Sequence, residues 1–132
     1  MKQEDKDLLL KDLCVRLPYK TYVKTTKGIG YIYAINTSQL IELSVANDSE
    51  YWSEVFNIDE IKSYLRPLLS MTDEEWEDYQ KIKMIDWVRG DINGTFINAG
   101  LIIDWLNAHH FDYRGLIEKN LALDCTGLHI YD

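Results

Sequence analysis

The spacing of apolar residues in this chain changes twice, and that switch limits what it can fold into. Leu9, Leu10, Leu13, Cys14 and Leu17 recur at three- and four-residue intervals with Lys11, Asp12 and Arg16 between them. This is the pattern of an amphipathic helix over residues 4–17, which Pro18 closes. From Tyr19 the period drops to two: Tyr19, Thr21, Val23 and Thr25 alternate with Lys20, Tyr22 and Lys24. Short strands are therefore expected at 19–25, 29–35, 40–46 and 51–56, separated by turn-forming Lys27-Gly28, Asn36-Thr37-Ser38 and Asn47-Asp48-Ser49. Consecutive strands with such short links imply an antiparallel meander or a small barrel, because parallel neighbours need long crossovers.

Helical spacing then returns. Residues 59–65 read as one or two helical turns before Pro67, and Thr72-Asp73-Glu74-Glu75 has the form of a capping box opening a helix over 73–88. Gly90-Asp91 and Asn93-Gly94 are read as its end, and Ala99, Ile102, Ile103 and Leu106 mark a second helix over 95–108. A short third helix over 113–119 and a terminal hairpin, 121–125 with 128–131 around Thr126-Gly127, complete the expectation. The fold class is α+β, in one domain of 132 residues: a helix-plus-sheet lobe over 1–66 and a mainly helical lobe over 67–132. The order of the second lobe is that of a winged helix.

Charge argues against the DNA-reading use of that order. Residues 1–66 carry nine Lys/Arg against ten Asp/Glu, whereas residues 67–132 carry five against twelve. The helix expected to enter the groove, 95–108, has neither Lys nor Arg, so counterion release from phosphate has no source there. Direct nucleic-acid binding is not expected. The first residues, Met1-Lys2-Gln3-Glu4-Asp5, lack the apolar core of a secretion signal, and no run of apolar residues is long enough to span a bilayer; a cytoplasmic protein without membrane contact is expected.

Reactive groups are few. Cys14 and Cys125 lie far apart without CxxC spacing and read as buried thiols. Gly28-Ile29-Gly30 lacks the third glycine of a dinucleotide loop, and no serine sits in a GxSxG context. Glu74, Glu75, Glu77 and Asp78 read as a solvated helix face rather than a cation loop. The densest polar cluster is Trp105 with His109-His110-Phe111-Asp112-Tyr113-Arg114. Adjacent histidines are poorly spaced for one metal ion, and a His at a helix end ordinarily bonds the last carbonyls. The sequence thus indicates no catalytic residue, metal or cofactor, and Trp105, His109, His110, Phe111, Asp112, Tyr113 and Arg114 are the candidate binding residues.

Residues 8–19 (Leu8-Leu9-Leu10-Lys11-Asp12-Leu13), the string Tyr64-Leu65-Arg66-Pro67-Leu68, and residues 104–117 (Asp104-Trp105-Leu106-Asn107-Ala108-His109-His110) resemble those of small uncharacterised proteins of gut anaerobic bacteria and their prophages. That resemblance implies a cytoplasmic, phage-derived accessory protein and no particular chemistry. Three functions follow as expectations. One is a non-catalytic module binding a protein partner or itself through the sheet lobe or the 105–114 segment. Another is an acidic mimic of nucleic acid, with carboxylates of 73–78 and 86–91 opposing a DNA-binding protein. The third is a small metal-dependent enzyme using His109, His110 and Asp112.

Overall fold

The computed structural model describes residues 1–38, 40–89 and 92–132, with the side chains of 84–99 outside the description. The order is α1 (Gln3–Arg16), β1 (Tyr22–Thr25), β2 (Gly28–Asn36), β3 (Glu42–Asn47), β4 (Trp52–Asn57), β5 (Lys62–Leu65), α2 (Asp73–Arg89), α3 (Ile92–Ala108) and β6 (Ala122–Asp124). Short 3-10 turns lie at Leu17–Tyr19, Ile58–Glu60 and Leu68–Ser70. The fold is α+β.

The expected meander forms, since β1, β2, β3 and β4 pair antiparallel in sequence order. Its first hairpin is tight: Thr25 faces Gly28, Gly28 takes φ +130°, and Thr25 Oγ1 donates to the Gly28 carbonyl at 2.7 Å. Gly30 serves a different need. A Cβ there would lie 2.6 Å from the Ala46 carbonyl oxygen and 2.7 Å from Val45 Cγ1, so the approach of β2 to β3 excludes a side chain.

The sheet then extends in a direction the sequence reading did not foresee. Residues 62–65, expected as helical turns, form β5, which pairs antiparallel with β1. Tyr64 and Leu65 are buried in this strand, so burial against a ladder partner outweighs helical periodicity over so short a run. β6 pairs parallel with β5, giving the strand order β4-β3-β2-β1-β5-β6. Among the described residues the sheet is open, with β4 and β6 at its ends, and does not close into a barrel. Because β5 and β6 are parallel, a crossover must join them, and α2 and α3 supply it.

Three further expectations are corrected here. The third helix, 113–119, is only a turn. Asn120, at φ 59°, closes it by donating to the Ile117 carbonyl while Leu121 N donates to that of Leu116. The terminal hairpin does not form either. A turn exists at Thr126-Gly127, where Leu128 N donates to the Cys125 carbonyl, but Ala122–Asp124 pairs with β5 instead. Without the third helix and the hairpin, the winged-helix order is not found. The placing of a helix end at Asn93-Gly94 is also superseded, since both lie in α3, and Gly90-Asp91 lies outside the described residues.

The core lies between α1 and one face of the sheet. Leu9 and Leu13 pack with Val23, Ile32, Leu43, Val45, Phe56, Ile58, Ile61 and Leu65, and Leu116, Leu121 and Ala122 seal one end. The buried residues of α1 are Leu9, Asp12, Leu13 and Arg16, and Cys14 is exposed. The helix is thus turned from its expected apolar stripe so that an Asp and an Arg enter the core and a thiol leaves it.

Candidate functional site

The segment singled out by sequence, 105–114, is the joint between α3 and the rest of the molecule. α3 ends in a Schellman arrangement: Phe111 N donates to the Leu106 carbonyl, His110 N donates to that of Asn107, and His110 takes φ 63° as the left-handed residue. His109 Nδ1 bonds the Trp105 carbonyl at 2.9 Å. Beyond the turn the chain runs beside the end of β5, where Arg66 N donates to the His110 carbonyl and Asp112 N to that of Arg66. Phe111, now fully buried, stacks on Trp105 at 5.7 Å.

Most polar groups of this segment are engaged within the fold, although His110 Nδ1 is buried without a hydrogen-bond partner. The Asp112 carboxylate accepts from Leu116 N at 2.9 Å and Ile117 N at 3.0 Å, holding the following turn. Tyr113 donates its hydroxyl to Asn107 Oδ1. His110 is buried and stacked on Tyr131 with ring centroids 3.5 Å apart. Burial, then the positive charges of Arg16 and Arg66, lowers its pKa to about 4, so it is neutral at pH 7. Phe111, His110 and Asp112 are therefore buried anchors, while Trp105, His109, Tyr113 and Arg114 are half-buried.

Beneath this joint lies a charge cluster that sequence reading missed. Arg16 is fully buried; its Nε donates to Asp12 Oδ2 at 2.7 Å and its Nη2 to the Phe111 carbonyl at 2.6 Å. Arg114 Nε approaches Asp12 Oδ1 at 3.2 Å, an ion pair without hydrogen-bond alignment. Burial pushes the Asp12 carboxyl above its usual range even with Arg16 and Arg114 beside it. The available signal was the i,i+4 spacing of Asp12 and Arg16, but nothing local shows that this pair faces inward.

A cleft of about 420 Å³ opens at the carboxyl ends of β5 and β6, lined among others by Arg66, Glu75, Cys125, His129 and Tyr131. Its strong charges are matched. Arg66 grips Glu75 with two hydrogen bonds of 2.6 and 2.7 Å, and that contact holds the Glu75 pKa down to about 2. The expected capping box is present as well, Glu75 N bonding Thr72 Oγ1 and Thr72 N bonding Glu75 Oε1. Burial, and then the charge of Asp124, raise the Cys125 thiol, which opposes a reactive thiolate. His129 pairs with Asp132. The tail that walls the cleft is pinned by Tyr131, whose hydroxyl accepts from Tyr22 N at 2.9 Å and donates to the Tyr64 carbonyl at 2.7 Å. Among the described residues no three His, Cys, Asp or Glu side chains are grouped to hold a metal ion.

Exposed apolar side chains occur on the sheet at Tyr33 and Val55, in the turn before β4 at Tyr51, in the Leu68–Ser70 turn at Leu69, and on the crossover helices. An aromatic series, Trp76, Tyr79 and Trp105, ties α2 to α3 with centroids 5.9 and 5.7 Å apart, and Trp105 stacks on His109 at 4.1 Å. Arg66 caps the far end over Phe111 at 4.2 Å. Leu106 and Asn107 are the last buried residues at this root. One turn outward on α3, Leu101 is 42% and Ile103 41% exposed, and Trp76 in the first turn of α2 is 53% exposed. Among the described residues of α2, none is buried. No helix among the described residues is long and apolar enough to cross a membrane.

The chain matches no protein-family model, no curated protein and no solved structure with which it was compared.

Proposed function

We propose that the protein is a non-catalytic interaction module and that the α2–α3 hairpin is its contact surface. The observation that carries this reading is the exposure of Leu101 and Ile103. They stand two residues apart on α3, hence about 200° around the helix axis, so α2 alone does not cover both. Apolar residues left open on two sides of one helix suit a surface that another protein covers. The half-buried Trp105 and His109 at the root belong to the same surface, whereas Phe111, His110 and Asp112 support it from beneath. The enzyme reading draws little support, because His109 Nδ1, His110 and Asp112 are engaged in backbone bonding and stacking.

The test compares capture of partners by the wild-type chain and by a Leu101→Glu/Ile103→Glu variant, at moderate and high salt. Proteins captured by the wild type, retained in high salt and lost with the variant are the expected result. Equal capture by both removes the hairpin from the function. A second reading, an inhibitor that offers carboxylates in place of phosphates, is favoured by the exposure of Asp73, Glu74, Glu77 and Asp78 on the first turns of α2. It predicts capture of a DNA-binding protein that is lost at high salt in both chains. The cytoplasmic, prophage-derived setting implied by the sequence resemblance accords with either reading and belongs to this proposal.

A further inference from the structure

We infer that the partner of the α2–α3 hairpin is a second copy of the same chain, joined about a two-fold axis so that the two hairpins form an antiparallel four-helix bundle. The inference rests on the interaction reading above and adds the identity of the partner.

It starts from the contrast between the two helices. α3 holds one charged residue, Asp104, in its seventeen, while α2 holds nine. α3 packs on α2 and touches α1, and among its described residues Leu101 and Ile103 stay open. In a bundle of four α3 gains the α3 of the other copy as a neighbour, while the two α2 helices meet along their charged edges and keep their outer faces to solvent. The open positions Leu101 and Ile103 are available to that neighbour.

Charge along α2 selects the occupant. Residues 73–78 contain five acids and no base, whereas residues 79–89 contain Lys81, Lys83 and Arg89 against Asp86 alone. A copy packed parallel would set acid beside acid. A copy related by a two-fold axis across the helices sets the acidic half of each α2 beside the basic half of the other. The surface is thus complementary to itself in one orientation, which an isologous interface requires. Area is adequate too. Helices of seventeen residues are about 25 Å long and two of them about 20 Å wide, so each hairpin offers on the order of 500 Å² and the pair on the order of 1,000 Å², near the lower bound for a specific interface.

Sedimentation velocity on the full chain from about 1 to 200 µM, roughly the range of weak to moderate dimers, is the first measurement. A species of twice the 15.5 kDa chain mass is expected, with Leu101→Glu/Ile103→Glu reduced to the monomer while its far-ultraviolet circular dichroism is unchanged. Two charge-reversed chains decide the geometry. Glu74→Lys/Glu77→Lys and Lys81→Glu/Lys83→Glu should each be monomeric alone, and an equimolar mixture should recover the dimer, because each bears the charge the other now lacks. A monomer at every concentration, a dimer indifferent to the Leu101/Ile103 change, or a mixture that stays monomeric overturns the inference. If the chain is monomeric but still captures another protein through Leu101 and Ile103, the interaction reading stands without self-association. If it is monomeric and captures nothing through them, both fall.

Discussion

Replacing Tyr131 by Phe removes one oxygen and keeps the ring that stacks on His110. That oxygen sits between two strands. β1 and β5 are paired at Val23 with Ser63 and at Lys24 with Lys62, and the next position would set Tyr22 opposite Tyr64. There the phenol bridges instead, taking the Tyr22 N–H and giving its own proton to the Tyr64 carbonyl. Burial raises the phenol pKa, so it remains a donor throughout the neutral range. Deleting it leaves two backbone groups without their partner. An orphaned buried group costs about 1–3 kcal/mol, and partial exposure of this site puts the pair near 2–3 kcal/mol. With a urea m-value of about 1–3 kcal/mol/M for a chain of this size, the unfolding midpoint should fall by roughly 1–2 M. Urea titration followed by Trp fluorescence measures the midpoint, and hydrogen exchange at the Tyr22 amide should accelerate in parallel. A midpoint within about 0.3 M of wild type, too small for even one orphaned group, together with an unchanged Tyr22 amide, would refute the bridging role.

Two other perturbations follow from the buried charges. Arg16→Met strands Asp12 and the Phe111 carbonyl and should destabilise by about 3–5 kcal/mol, whereas Asp12→Leu/Arg16→Met together should recover most of that loss; calorimetry of the three chains tests the non-additivity. In acid, His110 has a folded pKa of about 4, below its unfolded value of 6.5, so the unfolded chain binds the extra proton. Stability is therefore complete above pH 6.5 and declines by about 3 kcal/mol as the pH falls to 4. Glu75, depressed to about 2 by Arg66, adds a loss only below pH 4.5. His110→Asn, which tolerates the left-handed conformation, should flatten the profile between pH 6.5 and 4.5; a slope unchanged in that window would show that another group titrates there.

The meander was legible because its signals are local: alternation, β-branched residues and polar turns all lie within a few positions of one another. The Thr72/Glu75 capping box was legible for the same reason, both halves of the reciprocal bond being four residues long. What was not legible depends on partners distant in sequence. Residues 62–65 become a strand because β1 and β6 offer ladders on both sides, and β6 has its partner some sixty positions earlier, at Ser63–Leu65. Asp12 and Arg16 read as solvent-facing until the Phe111 carbonyl and Arg114 arrive to receive them. The 105–114 cluster was found, but its density of polar groups marks a joint as readily as a binding surface, and burial of Phe111, His110 and Asp112 separates the two.

The bond from Arg16 to the Phe111 carbonyl spans 95 residues, and that from Tyr22 to Tyr131 spans 109. Closing a chain of that length costs about 2 kcal/mol more entropy than closing a ten-residue hairpin. The four-strand meander pays no such penalty and is free to assemble first. Until the later segment docks, however, α1 carries a guanidinium on the face that must be buried, and its desolvation opposes collapse onto the sheet. Folding is then a race between quick local pairing and one slow, long-range closure. The expected consequence is that Arg16, which in the native joint bonds Asp12 and the Phe111 carbonyl, delays burial of α1 on the sheet until the later segment docks.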